Sequence, residues 1–179
     1  MEHTVSLRPL CEADAEAVAA LVRRAFAAQS VPTDPPASAL RLAGEDVRAH
    51  LAAGGGGVVA TPGAVGAGSN APGQSPPLGS GLAPVASVMW VEQDGCLYIA
   101  RLAVDPAWRR RGVARVLLAA AETAAEERRL PRLHLGTRIV LADNLALFRA
   151  CGFAEIARHA HPGYASPTWV ELEKRLGAG

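Results

Sequence analysis

The sequence predicts an α/β fold built around a mixed β-sheet. Apolar residues alternate between strand-like runs and runs with helical spacing along most of the chain. Asp94-Gly95 lies between two β-rich runs, a strong signal for a two-residue hairpin and hence for antiparallel pairing. The segment from Cys96 to Thr137 carries strand, helix and strand patterns in turn, and such a unit requires two parallel strands. With 179 residues the chain is long enough for one domain with a substantial core.

The first half of the chain carries two helical patterns and two short strand patterns. In order, we predict a strand at Val5 to Leu7, a helix with Val18, Leu21, Val22 and Ala25 on one face, a helix with Leu40, Ala43, Val47 and Leu51 on one face, and a strand at Val58 to Ala60. Asp14 precedes the first helix, prolines separate the two helices, and Gly54 ends the second.

Residues 61–82 differ in composition from the rest of the chain, because Gly, Pro, Ser and Ala dominate them. A segment with so few large apolar side chains buries too little surface to order itself. We therefore predict a flexible insertion within a single domain that spans residues 1–179. The insertion is either a linker or a cover over the functional site.

The second half of the chain carries most of the predicted sheet. We predict strands at Val85 to Val91, Cys96 to Val104, Leu133 to Thr137, Phe153 to Arg158 and Thr168 to Leu176. A helix between the second and third of these has Val113, Val116, Leu117, Ala120, Ala121 and Ala124 on one face. A last helix begins near Asn144 and ends at Gly152.

Composition excludes several classes of function. The chain has 18 basic and 17 acidic side chains, a net charge of +1, so nothing favours a nucleic-acid or membrane partner. Its three cysteines are far apart and form no metal-binding pair, which indicates reduced thiols. The first ten residues lack an apolar run, and no later run approaches the roughly 20 apolar residues of a membrane span. We expect a cytoplasmic protein.

The stretch WRRRGVARVLLAAAE, from Trp108 to Glu122, has the pattern of an anion site. Strand, tight turn and helix follow one another, and the first N–H groups of a helix lack intrahelical partners and carry partial positive charge. Gly112 allows close approach of the backbone, and Arg109, Arg110 and Arg111 add charge-assisted hydrogen bonds. Cations at a helix start are unfavourable unless an anion offsets them, which argues against a merely solvated charge run. The predicted ligand is a phosphate or pyrophosphate.

The same residues resemble a known family. Arg109-x-x-Gly112-x-Ala114 is similar to the coenzyme A pyrophosphate loop of the GNAT acetyltransferase superfamily, whose pattern is Q/R-x-x-G-x-G/A. NLALFRACGF, from Asn144 to Phe153, resembles a later family motif, and LRPLCEADAEAVAALVRRAF, from Leu7 to Phe26, resembles its opening strand and helix. The three motifs stand in the family's order along the chain.

The resemblance implies a mixed, mostly antiparallel central sheet, splayed between two parallel strands and flanked by about four helices. It also implies acetyl-CoA as co-substrate, with the pantetheine arm in the splay. The implied binding residues are Leu102, Ala103 and Val104 through their backbone, Arg109, Arg110, Arg111, Gly112, Val113, Ala114 and Arg115 at the pyrophosphate, and Asn144 and Phe148 near the arm. The reaction implied is direct attack of a neutral primary amine on the thioester, polarised by backbone N–H groups.

The chain departs from the family at Phe148, where many members carry a tyrosine that protonates the leaving thiolate. A phenyl ring cannot donate a proton, so Tyr98, Tyr164 or water takes that role. Candidate general bases are Tyr98 and His134, which lie on the two strands that flank the coenzyme. Each of these residues has a purely structural alternative as a packed or hydrogen-bonded core side chain.

Other polar residues bear on the acceptor. Arg101, between apolar neighbours, is either a contact for a substrate anion or half of a structural ion pair. His159, His161 and Tyr164 form either one wall of an acceptor pocket or a surface turn. No third ligand at suitable spacing joins the two histidines, so we expect no metal site.

We therefore expect an acetyl-CoA-dependent N-acetyltransferase that acts on a small-molecule or peptide amine. The alternative is a coenzyme A-binding sensor or regulatory module with little catalysis, which the loss of the tyrosine at Phe148 favours. A different acyl group or an oxygen acceptor would keep the fold and change the chemistry. A homodimer is possible because edge strands need covering.

Overall fold

The computed structural model describes residues 5–63 and 82–177. In these residues, seven strands form one sheet, accompanied by four α-helices. The strands are β1 Val5–Pro9, β2 Gly56–Pro62, β3 Ala86–Gln93, β4 Cys96–Val104, β5 Arg132–Arg138, β6 Ala154–His159 and β7 Trp169–Arg175. The helices are α1 Ala15–Ala27, α2 Gly44–Ala52, α3 Val113–Glu127 and α4 Ala142–Ala150. Short 3₁₀ segments precede α1, α2 and α3.

The sheet has the strand order β1-β2-β3-β4-β5-β7-β6 and is antiparallel except between β4 and β5. Asp94 and Gly95, with φ angles of 49° and 67°, form the hairpin between β3 and β4 as predicted. The mixed, mostly antiparallel sheet is confirmed. Its outer strands are β1 and β6, and dimerisation through such an edge stays a prediction.

The two parallel strands separate after a short contact. β4 and β5 pair only from Leu97 opposite Leu133 to Ile99 opposite Leu135, although both strands continue beyond that point. A break in the register between β3 and β4 leaves Ala100 as an extra residue at the place where the strands part. Bulges bend a strand and increase its twist, so this one directs β4 away from β5. The predicted splay is confirmed.

Helices cover both faces of the sheet because successive residues on a strand point to opposite sides. On one face α3 packs Leu117, Leu118 and Ala121 against the strands. On the other face α1 packs Val18 and Val22 in a second cluster with residues of β2, β3 and β4. The N-terminal ends of the helices are thereby fixed relative to the splayed strands.

Three predicted boundaries and faces were wrong. Leu40 lies in a 3₁₀ segment and α2 begins at Gly44, because the Asp46 carboxylate accepts the N–H of Ala43 at 2.8 Å and caps the helix there. On α3, Val116 is exposed and Leu118 takes its place in the core.

The third difference concerns the end of β2. The predicted strand ended at Ala60, but β2 continues through Thr61 and Pro62, which pair with β1. The predicted insertion therefore starts no earlier than residue 63. Residues 64–81, which make up most of it, lie outside the described residues.

A largely buried ion pair connects β1 to the start of α1. Arg8 donates from Nη1 to Asp14 Oδ2 at 2.7 Å and from Nη2 to Oδ1 at 2.6 Å. The backbone N–H of Cys11 donates to the same carboxylate at 3.1 Å. Burial alone would raise the pKa of Asp14, but the hydrogen bonds from Arg8 and Cys11 outweigh it and hold that pKa below its usual value.

We expect Asp14→Asn to lower the free energy of unfolding by about 2 kcal/mol at pH 7, because a partly buried guanidinium loses its charged partner. A carboxylate with a depressed folded pKa stabilises the protein above its unfolded pKa of about 3.9 and loses that effect as the pH falls. Urea denaturation of both proteins at pH 7 and pH 3 measures the difference, which should shrink at pH 3. Glu16→Gln, at an exposed carboxylate paired with Arg48, is the matched control and should change little. Equal losses in the two variants would contradict the prediction.

Candidate active site

The start of α3 has the geometry of an anion site. Gly112 is the N-cap residue, with a φ of 77° that favours glycine, and Arg110 before it has a φ of 62°. The carbonyl of Gly112 accepts the N–H of Arg115 at 3.0 Å, while the first amides of the helix point out of its end. A Cβ built on Gly112 would meet nothing within 4 Å, so the backbone here faces open space. That space is the first of two clefts.

The first cleft has a volume of about 750 Å³ and lies between the start of α3, the outer half of β4 and α4. Every residue predicted to bind the coenzyme lines it except Arg111. The predicted residues in its wall are Leu102, Ala103, Val104, Arg109, Arg110, Gly112, Val113, Ala114, Arg115, Asn144 and Phe148. Arg111 instead stacks its guanidinium over the Trp108 ring, 5.2 Å from the ring centroid.

Arg109 has partners that the sequence prediction missed. Its Nη1 and Nη2 donate to the carbonyl oxygens of Ala28 and Ala25, both at 2.6 Å. These carbonyls belong to the last turn of α1, where the helix dipole places partial negative charge. The prediction assigned this guanidinium to an anion, whereas in the structure it is bonded to α1. Nothing in the sequence near Arg109 signals a partner more than 80 residues away.

The outer half of β4 presents an open backbone edge to the first cleft. On one side Leu102 and Val104 pair with Val88 and Ala86 of β3. On the other side β5 has diverged, so the register between β4 and β5 ends at Ile99. An extended ligand can bind such an edge through main-chain hydrogen bonds in the manner of an added strand.

A second cleft of about 330 Å³ joins the first where the strands part. The residues that line both clefts are Phe26, Gln29, Leu102, Leu141, Asn144 and Phe148. The other polar and aromatic side chains in the wall of the second cleft are Thr33, Ser38, Tyr98, Arg101, Thr137, Arg138, His161 and Trp169. Two ligands bound in the two clefts would thus meet beside Asn144 and Phe148.

The two predicted tyrosines lie in different surroundings. Tyr98 lines the second cleft, and burial raises the pKa of its phenol although nearby Arg101 lowers it. The Tyr98 hydroxyl is therefore a proton donor at neutral pH. Tyr164 is not in the wall of either cleft, and its hydroxyl donates to Asp34 Oδ1 at 2.5 Å.

His134 lies behind Tyr98 rather than in the cleft wall. The two rings meet edge to face with centroids 5.7 Å apart. The His134 Nε2 atom lies 3.7 Å from Glu171 Oε2, and His159 Nε2 approaches Glu171 Oε1 at 3.2 Å. His159 also stacks on Trp169 at 4.4 Å and does not line the second cleft. Of the predicted wall residues His159, His161 and Tyr164, only His161 lines it.

Phe148 occupies the junction of the two clefts. It is 6% exposed and packs edge to face on Phe153 with ring centroids 5.9 Å apart. Its ring offers no exchangeable proton. Among the described residues, the tyrosine in the wall of the second cleft is Tyr98 on β4.

Arg138 is a site residue that sequence reasoning missed. Its Nη1 donates to His161 Nδ1 at 3.0 Å and its Nη2 donates to the Pro35 carbonyl at 2.8 Å. Because arginine only donates, Nδ1 accepts and the proton of the neutral imidazole is assigned to Nε2. Burial, and then the charge of Arg138, lower the pKa of His161. The sequence feature that could have identified Arg138 as a site residue is its position at the end of the strand predicted to diverge from β4.

The described residues contain no group of three or more His, Cys, Asp and Glu side chains that could hold a metal ion. Across residues 5–63 and 82–177, no helix has the length and apolar character needed to cross a membrane.

Comparisons with known proteins agree with this geometry. Residues 79–153 match the model of the acetyltransferase (GNAT) family. The ribosomal-protein-S18-alanine N-acetyltransferase from Escherichia coli is similar with a TM-score of 0.70 and 18% identity, over 98% of this chain and 96% of that one. The PaiA N-acetyltransferase from Thermoplasma acidophilum, solved with coenzyme A, is similar with a TM-score of 0.68 and 14% identity, over 97% of this chain and 99% of that one. IAA acetyltransferase from Bacillus cereus has a TM-score of 0.61 and 16% identity, over 97% of this chain and 100% of that one. No curated protein matches the sequence.

The splayed sheet and the similarity across nearly the whole chain show that this protein has the fold of the GNAT acetyltransferases. The match to the family model covers residues 79–153, which include β4 and the start of α3.

Proposed function

We propose that the protein is an N-acetyltransferase that moves the acetyl group of acetyl-CoA directly to a primary amine. The observation that carries the proposal is the meeting of two clefts at the open edge of β4, beside a glycine-led helix start. The first cleft suits the coenzyme and the second suits the amine. The coenzyme supplies an acyl group activated as a thioester.

The residues of the first cleft have distinct roles in this proposal. The backbone amides at the start of α3 bind the pyrophosphate, where the helix dipole favours negative charge. Arg110 and Arg115 add positive charge at the cleft wall. The backbone of Leu102, Ala103 and Val104 binds the pantetheine arm, and Asn144 and Phe148 flank the reacting end.

In the transfer step, the amine nitrogen bonds to the carbonyl carbon, the carbon–sulfur bond breaks, and the amine loses a proton. Tyr98, whose raised pKa keeps its hydroxyl protonated, donates a proton to the departing thiolate and then recovers one from solvent. Solvent in the open cleft takes the amine proton, since His134 does not line the cleft and Nδ1 of His161 already accepts from Arg138. An acceptor of low pKa suits this arrangement, because an amine with a pKa of about 10.4 costs about 4.6 kcal/mol to deprotonate at pH 7.

Calorimetric titration with acetyl-CoA, followed on the same sample by thiol release against pooled primary amines, tests the proposal. Binding with amine-dependent release supports an N-acetyltransferase, and the product mass identifies the acyl group. Binding without release supports a coenzyme A sensor, the function that Phe148 at the junction favours. Absence of binding contradicts both.

Gly136 on β5 sets the width of the second cleft. A Cβ at this position would lie 3.3 Å from two ring carbons of Trp169 and 3.5 Å from the Tyr98 hydroxyl. We expect Gly136→Ala to raise the acceptor KM about tenfold and to leave acetyl-CoA affinity unchanged, because the methyl group takes acceptor space. Steady-state kinetics with varied amine measure this effect. Gly177→Ala, where a Cβ meets nothing within 4 Å, is the control, and an unchanged KM in Gly136→Ala would contradict the prediction.

A further inference from the structure

Among the described residues, the charged side chains in the wall of the second cleft are all basic. Arg101 and Arg138 both line it, together with His161, and no described aspartate or glutamate belongs to this wall. A cleft whose ionisable wall is cationic disfavours an acceptor that carries only positive charge and favours one that brings an anion.

Neither arginine is neutralised by a carboxylate within the part of the chain that the structure describes. Arg101 donates to the Ala100 carbonyl at 2.8 Å and to Ser38 Oγ at 3.0 Å, and its buried Nε has no hydrogen-bond partner. Arg138 donates to a ring nitrogen and to a carbonyl. Burial lowers the pKa of Arg138, although Tyr164 and Asp34 oppose that effect. Arg101 was predicted either to contact a substrate anion or to form a structural ion pair. Among the described residues it has no carboxylate partner for such an ion pair.

The neighbouring carboxylates have other partners. Asp34 accepts the Tyr164 hydroxyl at 2.5 Å, and Glu171 lies between His134 and His159. A partly buried guanidinium without a counter-ion is costly, and both arginines keep further N–H donors because each has five. Asp34 raises the pKa of Arg138 without a direct ion pair, so an anionic ligand in the second cleft would supply the hydrogen-bonded counter-ion that both arginines lack among the described residues.

We infer that the amine acceptor carries a carboxylate or a phosphate group, which binds Arg101 and Arg138 while the amine points to the junction beside Asn144. The inference rests on the proposed function, because it takes the second cleft as the acceptor site. Guanidinium groups recognise both anions through paired hydrogen bonds. The cleft volume of about 330 Å³ limits the part of the acceptor that enters it to a small group.

Matched amines test the inference. Alanine, phenylalanine and glycine are each compared with their own C-terminal amides, and O-phosphoethanolamine is compared with ethanolamine. Because the members of a pair differ in amine pKa, kcat/KM is expressed per unprotonated amine. We expect this value to be at least about tenfold higher for the anionic member of a preferred pair. The carboxylate and phosphate arms show which anion the site prefers.

Variants connect the preference to the two arginines. Arg138→Gln and Arg101→Gln should each reduce the ratio of kcat/KM for the anionic amine to kcat/KM for its neutral partner about tenfold. Arg138→Lys, which keeps the charge, should retain part of the preference for the anionic amine. If Arg138 had a purely structural role, its substitution would lower kcat/KM equally for the anionic and the neutral amine. Arg132→Gln is the control, since this arginine of β5 pairs with Glu173 and the Asp94 carbonyl outside the cleft.

A binding measurement separates this inference from the proposed function. N-acetylalanine, N-acetylphenylalanine and N-acetylglycine, and the amide of each, are titrated calorimetrically into the protein with coenzyme A present. Arginine-dependent binding of the carboxylates without transfer to any amine would support the anion site in the second cleft and contradict the transferase. Transfer with equal use of anionic and neutral amines would support the transferase and overturn the inference. Absence of a charge preference in both assays would also overturn it.

Discussion

Gly112→Asp is expected to weaken acetyl-CoA binding at least about 100-fold. The new carboxylate would enter the open space in front of Gly112, where the first amides of α3 converge. Two like charges about 4 Å apart repel by about 4 kcal/mol near a protein surface, which exceeds the 2.7 kcal/mol of a 100-fold change. Calorimetric titration of both proteins with acetyl-CoA measures the loss.

Gly54→Asp separates this effect from backbone strain. Gly54 has a φ of 84°, close to the 77° of Gly112, and a Cβ there also meets nothing within 4 Å. Both variants carry the same added charge and a strain of about 1–2 kcal/mol, but Gly54 follows α2 and does not line either cleft. Coenzyme affinity should stay within about twofold in Gly54→Asp. Equal losses of affinity in the two variants would show that the anion site is elsewhere.

Tyr98→Phe is expected to lower kcat about 100-fold while acetyl-CoA affinity stays unchanged. Loss of a positioned proton donor typically costs 10²- to 10⁴-fold, and a leaving thiol needs less help than most leaving groups. Burial raises the pKa of Tyr98, so its hydroxyl should keep donating up to about pH 10 without a fall in kcat from its ionisation. Single-turnover rates from pH 7 to 10 check both points.

Tyr164→Phe is the matched control for Tyr98→Phe. Its hydroxyl bonds to Asp34 and lines neither cleft, so kcat should fall less than about threefold. If Tyr164→Phe were the slower enzyme, Tyr164 would be the proton donor, and if Tyr98→Phe and Tyr164→Phe both kept full activity, water would be the donor. Either result would contradict the proposed role of Tyr98.

The parts of the fold that could be predicted from the sequence are those that neighbouring residues determine. The β3–β4 hairpin follows from Asp94-Gly95, because both residues adopt the positive φ that its turn requires. The start of α3 follows from Gly112 and the apolar repeat behind it. The parallel pairing of β4 and β5 follows from the strand–helix–strand pattern, because a helix that connects two strands of one sheet in a right-handed crossover makes them parallel.

The parts of the candidate site that could not be predicted depend on contacts between distant segments. Arg138 reaches the Pro35 carbonyl across 103 positions, and Tyr164 reaches Asp34 across 130. Each contact exists because packing brings the loop after α1 against the ends of β5 and β6, which no local pattern encodes. His134 shows the reverse case, since a suitable side chain on the expected strand lies behind Tyr98 and outside the cleft wall.

Because Arg109 bonds to the C-terminal end of α1, the three consecutive arginines have different roles. Arg109 offsets the negative end of one helix, and Arg111 covers an indole ring, so only Arg110 of the three remains as a charge in the cleft wall without such a role. In the function we propose, recognition of the diphosphate would then depend chiefly on the direction of the main-chain N–H donors at the start of α3. Selectivity at this loop would therefore be stereochemical: it would depend on the spacing and tetrahedral shape of the phosphates more than on their total charge.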